Sequence, residues 1–168
     1  MGINAHKKLA PQELKIGIIT ISTTRTPADD KSGRWISKQV RKQRHEVVFY
    51  QVIPDQVSHI AETVVDVIDS FSPHVLLLTG GTGISSKDVT IEAVKPLFAK
   101  ELTSFGPLFA QLSFEEIDSA AILSRATAGI INKTIIFCLP GSLKACKLGC
   151  KFLIFPELGH LMFHVHEG

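Results

Sequence analysis

The chain has 168 residues, 45% of them hydrophobic and 20% charged, with a formal net charge of +2. That length suits one domain with a sizeable core, and so small a net charge gives no case for nucleic acid or a membrane as the main partner. No apolar run reaches the roughly eighteen residues of a membrane helix, and Met1-Gly-Ile-Asn-Ala-His-Lys-Lys lacks the apolar centre of a secretion signal, so a cytoplasmic protein is expected.

Residues 1 to 14 read as a mobile polar arm, and 15 to 168 as a single α/β domain. Lys15 to Ile21 is the first expected strand. It ends in the polar loop Ser22-Thr-Thr-Arg-Thr-Pro27. A helix follows from Arg34 to Gln43, with Trp35, Ile36 and Val40 as its apolar stripe and either Asp30 or Ser32 as its cap. Glu46 to Ile53 is the second strand, stopped by Pro54. Asp55 stands at its end, before a helix from Val57 to Ser70, and position alone favours a capping role for it.

Val75 to Leu78 is a short apolar run, read as a buried strand, that breaks at Thr79-Gly80-Gly81-Thr82-Gly83. Helix spacing resumes at Ile91, Val94 and Leu97. In an open α/β sheet such a turn lies at the carboxyl edge of the strands, where ligands bind. Glycines there allow positive φ and close approach to an anion, while Thr82, Ser85 and Ser86 add hydroxyl donors. The loop matches neither GxxxxGK[ST] nor GxGxxG. Asp88 can cap the next helix, or it can hold a Mg²⁺ shared with a phosphate, and one residue can do both.

After Lys100 to Phe105 comes an amphipathic helix from Leu108 to Ile117, and then Ala120 to Leu123 lead into Ser124-Arg125-Ala126. Arg125 can steady a carboxylate of the fold or grip a phosphate with two donors. Ala128 to Ile131 and Thr134 to Leu139 read as strands joined tightly at Asn132-Lys133, which makes one of them antiparallel to the rest. Leu139-Pro140-Gly141-Ser142 repeats the strand, glycine turn and helix start, here with a Ser cap and a helix from Leu143 to Leu153. A packing helix from Pro156 to His166 closes the chain. The alternation argues for a three-layer α/β/α sandwich with a mostly parallel sheet.

Cys138, Cys146 and Cys150 are an odd set with no metal-site spacing, and are expected as buried thiols. His160 and His164 have chelating spacing, and His166 follows, but no acidic third ligand has a place beside them.

These motifs resemble one family. Thr79-Gly80-Gly81-Thr82-Gly83 with Asp88-Val-Thr90-x-Glu92-Ala93, preceded by Asp30-x-Ser32-Gly33, His45-Glu46-Val47 and Pro54-Asp55, and followed by Ser124-Arg125-Ala126-x-Ala128-Gly129 and Pro140-Gly141-Ser142, is similar to the MoaB/Mog proteins of molybdenum cofactor biosynthesis. The resemblance runs from about Lys15 to His164 and implies a molybdopterin-binding α/β fold assembled as a trimer or hexamer. It implies an activity: transfer of AMP from MgATP to the terminal phosphate of molybdopterin, for a molybdenum or tungsten cofactor, with a non-catalytic molybdopterin carrier as the alternative. It also implies that Asp55 and Asp88 are catalytic and bind Mg²⁺. Substrate and phosphate contacts then fall to Ser22, Thr79, Gly80, Gly81, Thr82, Gly83, Ser85, Ser124, Arg125, Pro140, Gly141 and Ser142. The chain departs from its relatives at Thr23, often Asp there, and at Arg44, Ser104 and Asp118, commonly Gly.

Overall fold

The computed structural model describes residues 13–167. Residues 1–12 of the expected arm lie outside these. Leu14, the arm's last residue, belongs instead to the fold: it is 1% exposed, and its carbonyl accepts from Glu46 N at 2.9 Å.

The strands are β1 (Lys15–Ile21), β2 (Glu46–Ile53), β3 (Val75–Thr79), β4 (Lys100–Glu101), β5 (Thr127–Ile131) and β6 (Thr134–Leu139). They form one sheet in the order β2-β1-β3-β6-β5-β4. β2, β1, β3 and β6 are mutually parallel, whereas β5 runs against β6 and β4 against β5. The helices are α1 (Lys31–Lys42), α2 (Val57–Phe71), α3 (Thr90–Val94), α4 (Phe105–Ile117), α5 (Leu143–Gly149) and α6 (Leu158–Glu167).

Both faces of the sheet are covered, which is why its central strands read as unbroken apolar runs. On β3, Val75 and Leu77 point into one core with Ile36 and Val40 of α1, Phe109 of α4, Cys146 of α5 and Met162 of α6. Leu76 and Leu78 point into the other, with Ile60 and Val64 of α2 and Val94 of α3. The result is a three-layer α/β/α sandwich.

Several helices begin or end away from their sequence-based limits. α1 starts at Lys31 because Asp30 is the cap, its side chain accepting from Gly33 N. α4 starts at Phe105, since Pro107 in the first turn needs no amide partner. The helix expected to end at Leu153 instead passes through a π turn, Cys150–Ile154, and a 3₁₀ turn, Phe155–Glu157, into α6. Of the three positions where the resemblance leads one to expect glycine, Arg44 and Asp118 have positive φ, 64° and 52°, while Ser104 does not.

Candidate active site

The strand order reverses between β1 and β3, and in a doubly wound sheet the crevice outside that reversal collects ligands. Four loops meet there. They enclose an open cleft of about 470 Å³, lined by Ser22 to Arg25 after β1, Asp55 after β2, Gly80 to Gly83 with Lys87 and Asp88 after β3, and Pro140 to Ser142 after β6.

The loop after β3 has little freedom to change. Gly80 has φ 101°, and a Cβ there would lie 2.3 Å from the Ile21 carbonyl oxygen; Gly81 has φ 63°. Thr90 Oγ1 donates to Gly80 O at 2.8 Å, and Thr90 N donates to Gly81 O at 2.9 Å. Arg125 Nε reaches Thr82 O at 2.9 Å and Gly83 O at 3.0 Å, while its other nitrogens hold Glu92 at 2.7 and 3.2 Å. The hydrogen bond from Arg125 keeps the Glu92 carboxyl below the usual carboxylate range. Among the described residues, no hydrogen bond engages the amides of Gly81, Thr82 and Gly83. Thr82 Oγ1 is buried with no hydrogen-bond partner among the described residues.

Asp55 and Asp88 flank this loop. A Cβ on Gly81 would meet Asp55 Oδ1 at 3.0 Å, and one on Gly83 would meet Asp88 Oδ2 at 2.7 Å. Capping explains neither residue. The cap of α2 is Gln56 and that of α3 is Val89, neither with a side-chain bond. Asp88 Oδ2 accepts from Ser85 N at 2.9 Å, bracing the loop instead.

The loop after β6 is held from behind. Ser32 Oγ and Arg25 Nη1 both donate to Gly141 O, at 2.8 and 3.0 Å. Ser32 lies in the first turn of α1, whose cap is Asp30, a fully buried carboxylate that accepts from Thr20 Oγ1, Tyr50 OH and Gly33 N. A Cβ at Gly33 would collide with all three of Asp30, Thr20 and Tyr50.

Not every residue expected at the site faces it. Thr79 is buried and donates to Pro140 O, so it supports the loop. Ser85 makes the Asp88 contact but does not line the cleft, and Arg125 is a half-exposed strut held by Glu92 and two carbonyls. Ser124 lines a smaller adjoining recess of about 100 Å³, beyond Pro140 and Ser142. Ser142 and Ser22 are at the cleft, but their hydroxyls accept backbone N–H groups, from Ala145 and from Thr24 and Arg25. Conversely, Thr24, Arg25 and Lys87 line the cleft although no motif marks them. The only hint to them in sequence was that their loops leave the same edge of the sheet.

A family profile described as a probable molybdopterin binding domain matches residues 17–160. The chain is 42% identical to molybdenum cofactor biosynthesis protein B of Bacillus cereus, over 99% of each chain. It is also 42% identical to molybdopterin adenylyltransferase of Pyrococcus furiosus, over 99% of this chain and all of that one. A crystal structure of a molybdenum cofactor biosynthesis protein B superposes with a TM-score of 0.91 at 42% identity, covering 95% of this chain and 99% of that one. Fold, loops and relatives therefore agree, and the chain belongs to the MoaB/Mog family of molybdenum cofactor biosynthesis proteins.

Proposed function

We propose that the chain is a molybdopterin adenylyltransferase of molybdenum or tungsten cofactor synthesis. A phosphate oxygen of molybdopterin attacks the α-phosphorus of ATP, the bond to the β-phosphate breaks, and pyrophosphate leaves with the electron pair. The observation that carries this reading is the pair of carboxylates, Asp55 and Asp88, flanking one glycine loop that presents free amides.

Two anions must be held close, so positioning and electrostatics do most of the work and no side-chain nucleophile is needed. The amides of Gly81, Thr82 and Gly83 and the Thr82 hydroxyl receive phosphate oxygens. Arg25 and Lys87 supply positive charge from the cleft walls. Gly141 lets the second loop approach the first, since a Cβ there would lie 3.1 Å from Gly80 Cα. Two carboxylates suit Mg²⁺, which takes one or two protein carboxylates and fills its shell with phosphate and water. Among the described residues, no cluster of three or more His, Cys, Asp or Glu forms a protein cage for a metal. Asp55 and Asp88 would hold the ion, which when bound supplies charge neutralisation on the ATP phosphates.

The assembly is a homo-oligomer, trimer or hexamer, working in the cytoplasm with neither nucleic acid nor membrane as partner, and residues 14–167 belong to its single domain. Exposed Leu108, Phe114, Ile117, Ile122 and Leu123, gathered on α4 and the turn after it, support association. Among the described residues no helix is long and apolar enough to cross a membrane.

The test is to incubate the protein with molybdopterin and MgATP and to follow adenylylated pterin and pyrophosphate by mass spectrometry. Pterin that binds without pyrophosphate release would leave the carrier reading in place of the enzyme.

A further inference from the structure

The two edges of the sheet are built differently. β4 ends one edge with only Lys100–Glu101, and short charged strands are a common protection of an open edge. β2 ends the other with eight residues, Glu46-Val-Val-Phe-Tyr-Gln-Val-Ile, containing neither lysine nor proline. Val47 to Tyr50 are partly exposed. Among the described residues β2 pairs only with β1, which leaves alternate backbone groups on its outer side without a strand partner.

Beside this edge runs α1. From Lys31 to His45 the chain carries Lys31, Arg34, Lys38, Arg41, Lys42 and Arg44 and no acid. Arg34, Lys38 and Arg41 lie on one helical stripe, and with Ser37 they share a recess of about 410 Å³ with Tyr50 of β2. No salt bridge among the described residues engages them. Arg34 and Arg41 each commit one nitrogen to the chain itself, onto Ala28 O and Ser37 Oγ.

We propose that the free edge of β2 and the cationic stripe of α1 form one docking surface for an extended acidic segment of another protein. The segment adds a strand beside β2 and sets its carboxylates against Arg34, Lys38 and Arg41. Main-chain pairing gives such a complex affinity, and side chains on alternate positions give it selectivity. Charge selects the occupant. A second copy paired β2 to β2 across a two-fold axis would bring its own α1 cations beside these. Residues 1–12 of the same chain carry Lys7 and Lys8 and no acid, so they do not match either. Because β2 leads into Asp55, the docked segment lies next to the mouth of the cleft. None of the docking residues has a part in the proposed adenylyl transfer, so the two readings stand or fall separately.

The test uses a labelled short peptide of alternating glutamate and valine, a lysine-for-glutamate version, and a version N-methylated at alternate amides. Titrated against the full chain, the acidic peptide should bind saturably, more weakly as salt is raised. It should slow hydrogen exchange in β2. The N-methylated and lysine peptides should each lose about tenfold or more in affinity. A triple variant, Arg34→Glu with Lys38→Glu and Arg41→Glu, should lose the same while pyrophosphate release is unchanged. If that variant does not fold, Lys38→Glu alone and the N-methylated peptide still decide. No binding by the acidic peptide overturns the proposal. So does equal binding by the N-methylated peptide or by an oligonucleotide of equal charge, and so does a concentration-dependent self-association that the peptide cannot displace.

Discussion

At the scale of single residues, variants of Asp55 and Asp88 tell the proposed chemistry from scaffolding. Asp88→Asn keeps an oxygen that can accept from Ser85 N, so melting should stay within about 2 °C of the parent, while turnover drops by about a hundredfold or more through loss of charge. Calorimetry and a pyrophosphate assay on one preparation check both halves. Asp55→Ala and Asp88→Ala should each nearly abolish turnover, and the double variant should be little worse than either, because groups that act as a unit are not additive. Independent, additive losses would mean that the two carboxylates serve separate ends. The cysteines give a contrasting forecast. Burial pushes the Cys138 thiol up to about 12, Cys146 to about 11, and Cys150 well above its ordinary value. Since the thiolate is the reactive form, the folded protein should resist iodoacetamide at about pH 8 and all three thiols should react once denatured, as read by mass spectrometry.

At the scale of elements, β1 is tied at its start by two imidazoles. Leu14 N donates to His45 Nδ1 at 3.3 Å, and Lys15 N donates to His74 Nδ1 at 2.8 Å. Protonation would turn each acceptor into a donor. Burial lowers both rings below the ordinary 6.5, against an opposing pull from Glu13 on His45 and helped by His166 and Lys15 around His74. Between the folded values and 6.5 the unfolded chain binds more protons, so this stability is complete above about pH 6.5 and is lost as pH falls through the window. Melts from about pH 7.5 to about pH 5 should show Tm falling, with His74→Gln flattening the slope. Strain offers a second handle. Arg44 ends α1 in a left-handed cap, with His45 N bonded back to Val40 O, and Asp118 ends α4 at φ 52°, ψ −140°. Arg44→Gly and Asp118→Gly should each stabilise by about 1 kcal/mol, or roughly 2–4 °C in Tm.

The strands were legible in sequence because burial on both faces leaves long β-rich apolar runs, and β1 and β2 have the limits read from composition. The glycine loop was legible because few residues tolerate its backbone. Spacing misplaces the caps by one residue: Asp55 and Asp88 stand just before Gln56 and Val89, which occupy the cap positions of α2 and α3. Arg125 was ambiguous for a similar reason, since its partner Glu92 lies 33 positions away and only packing joins them. Arg25 and Lys87 are not legible in sequence because the loops that carry them converge only in three dimensions.

At the scale of the whole molecule, the apolar residues on α4 and the turn after it should be covered by another subunit. Ile122, 86% exposed, and Phe114, 58% exposed, are the largest openings of that surface. Ile122→Asp combined with Phe114→Asp should shift light scattering from oligomer to monomer with circular dichroism unchanged; a parent protein that is already monomeric at micromolar concentration would contradict the proposed assembly. A peptide group ordinarily offers a donor and an acceptor without preference. Around this cleft the acceptors are already engaged: Gly80 and Gly81 carbonyls by Thr90, those of Thr82 and Gly83 by Arg125, and Gly141 by Arg25 and Ser32. The backbone has thereby been given a polarity that no single loop possesses, set by side chains from four separate segments of the chain, and under the proposed function it favours an anion before any guest arrives.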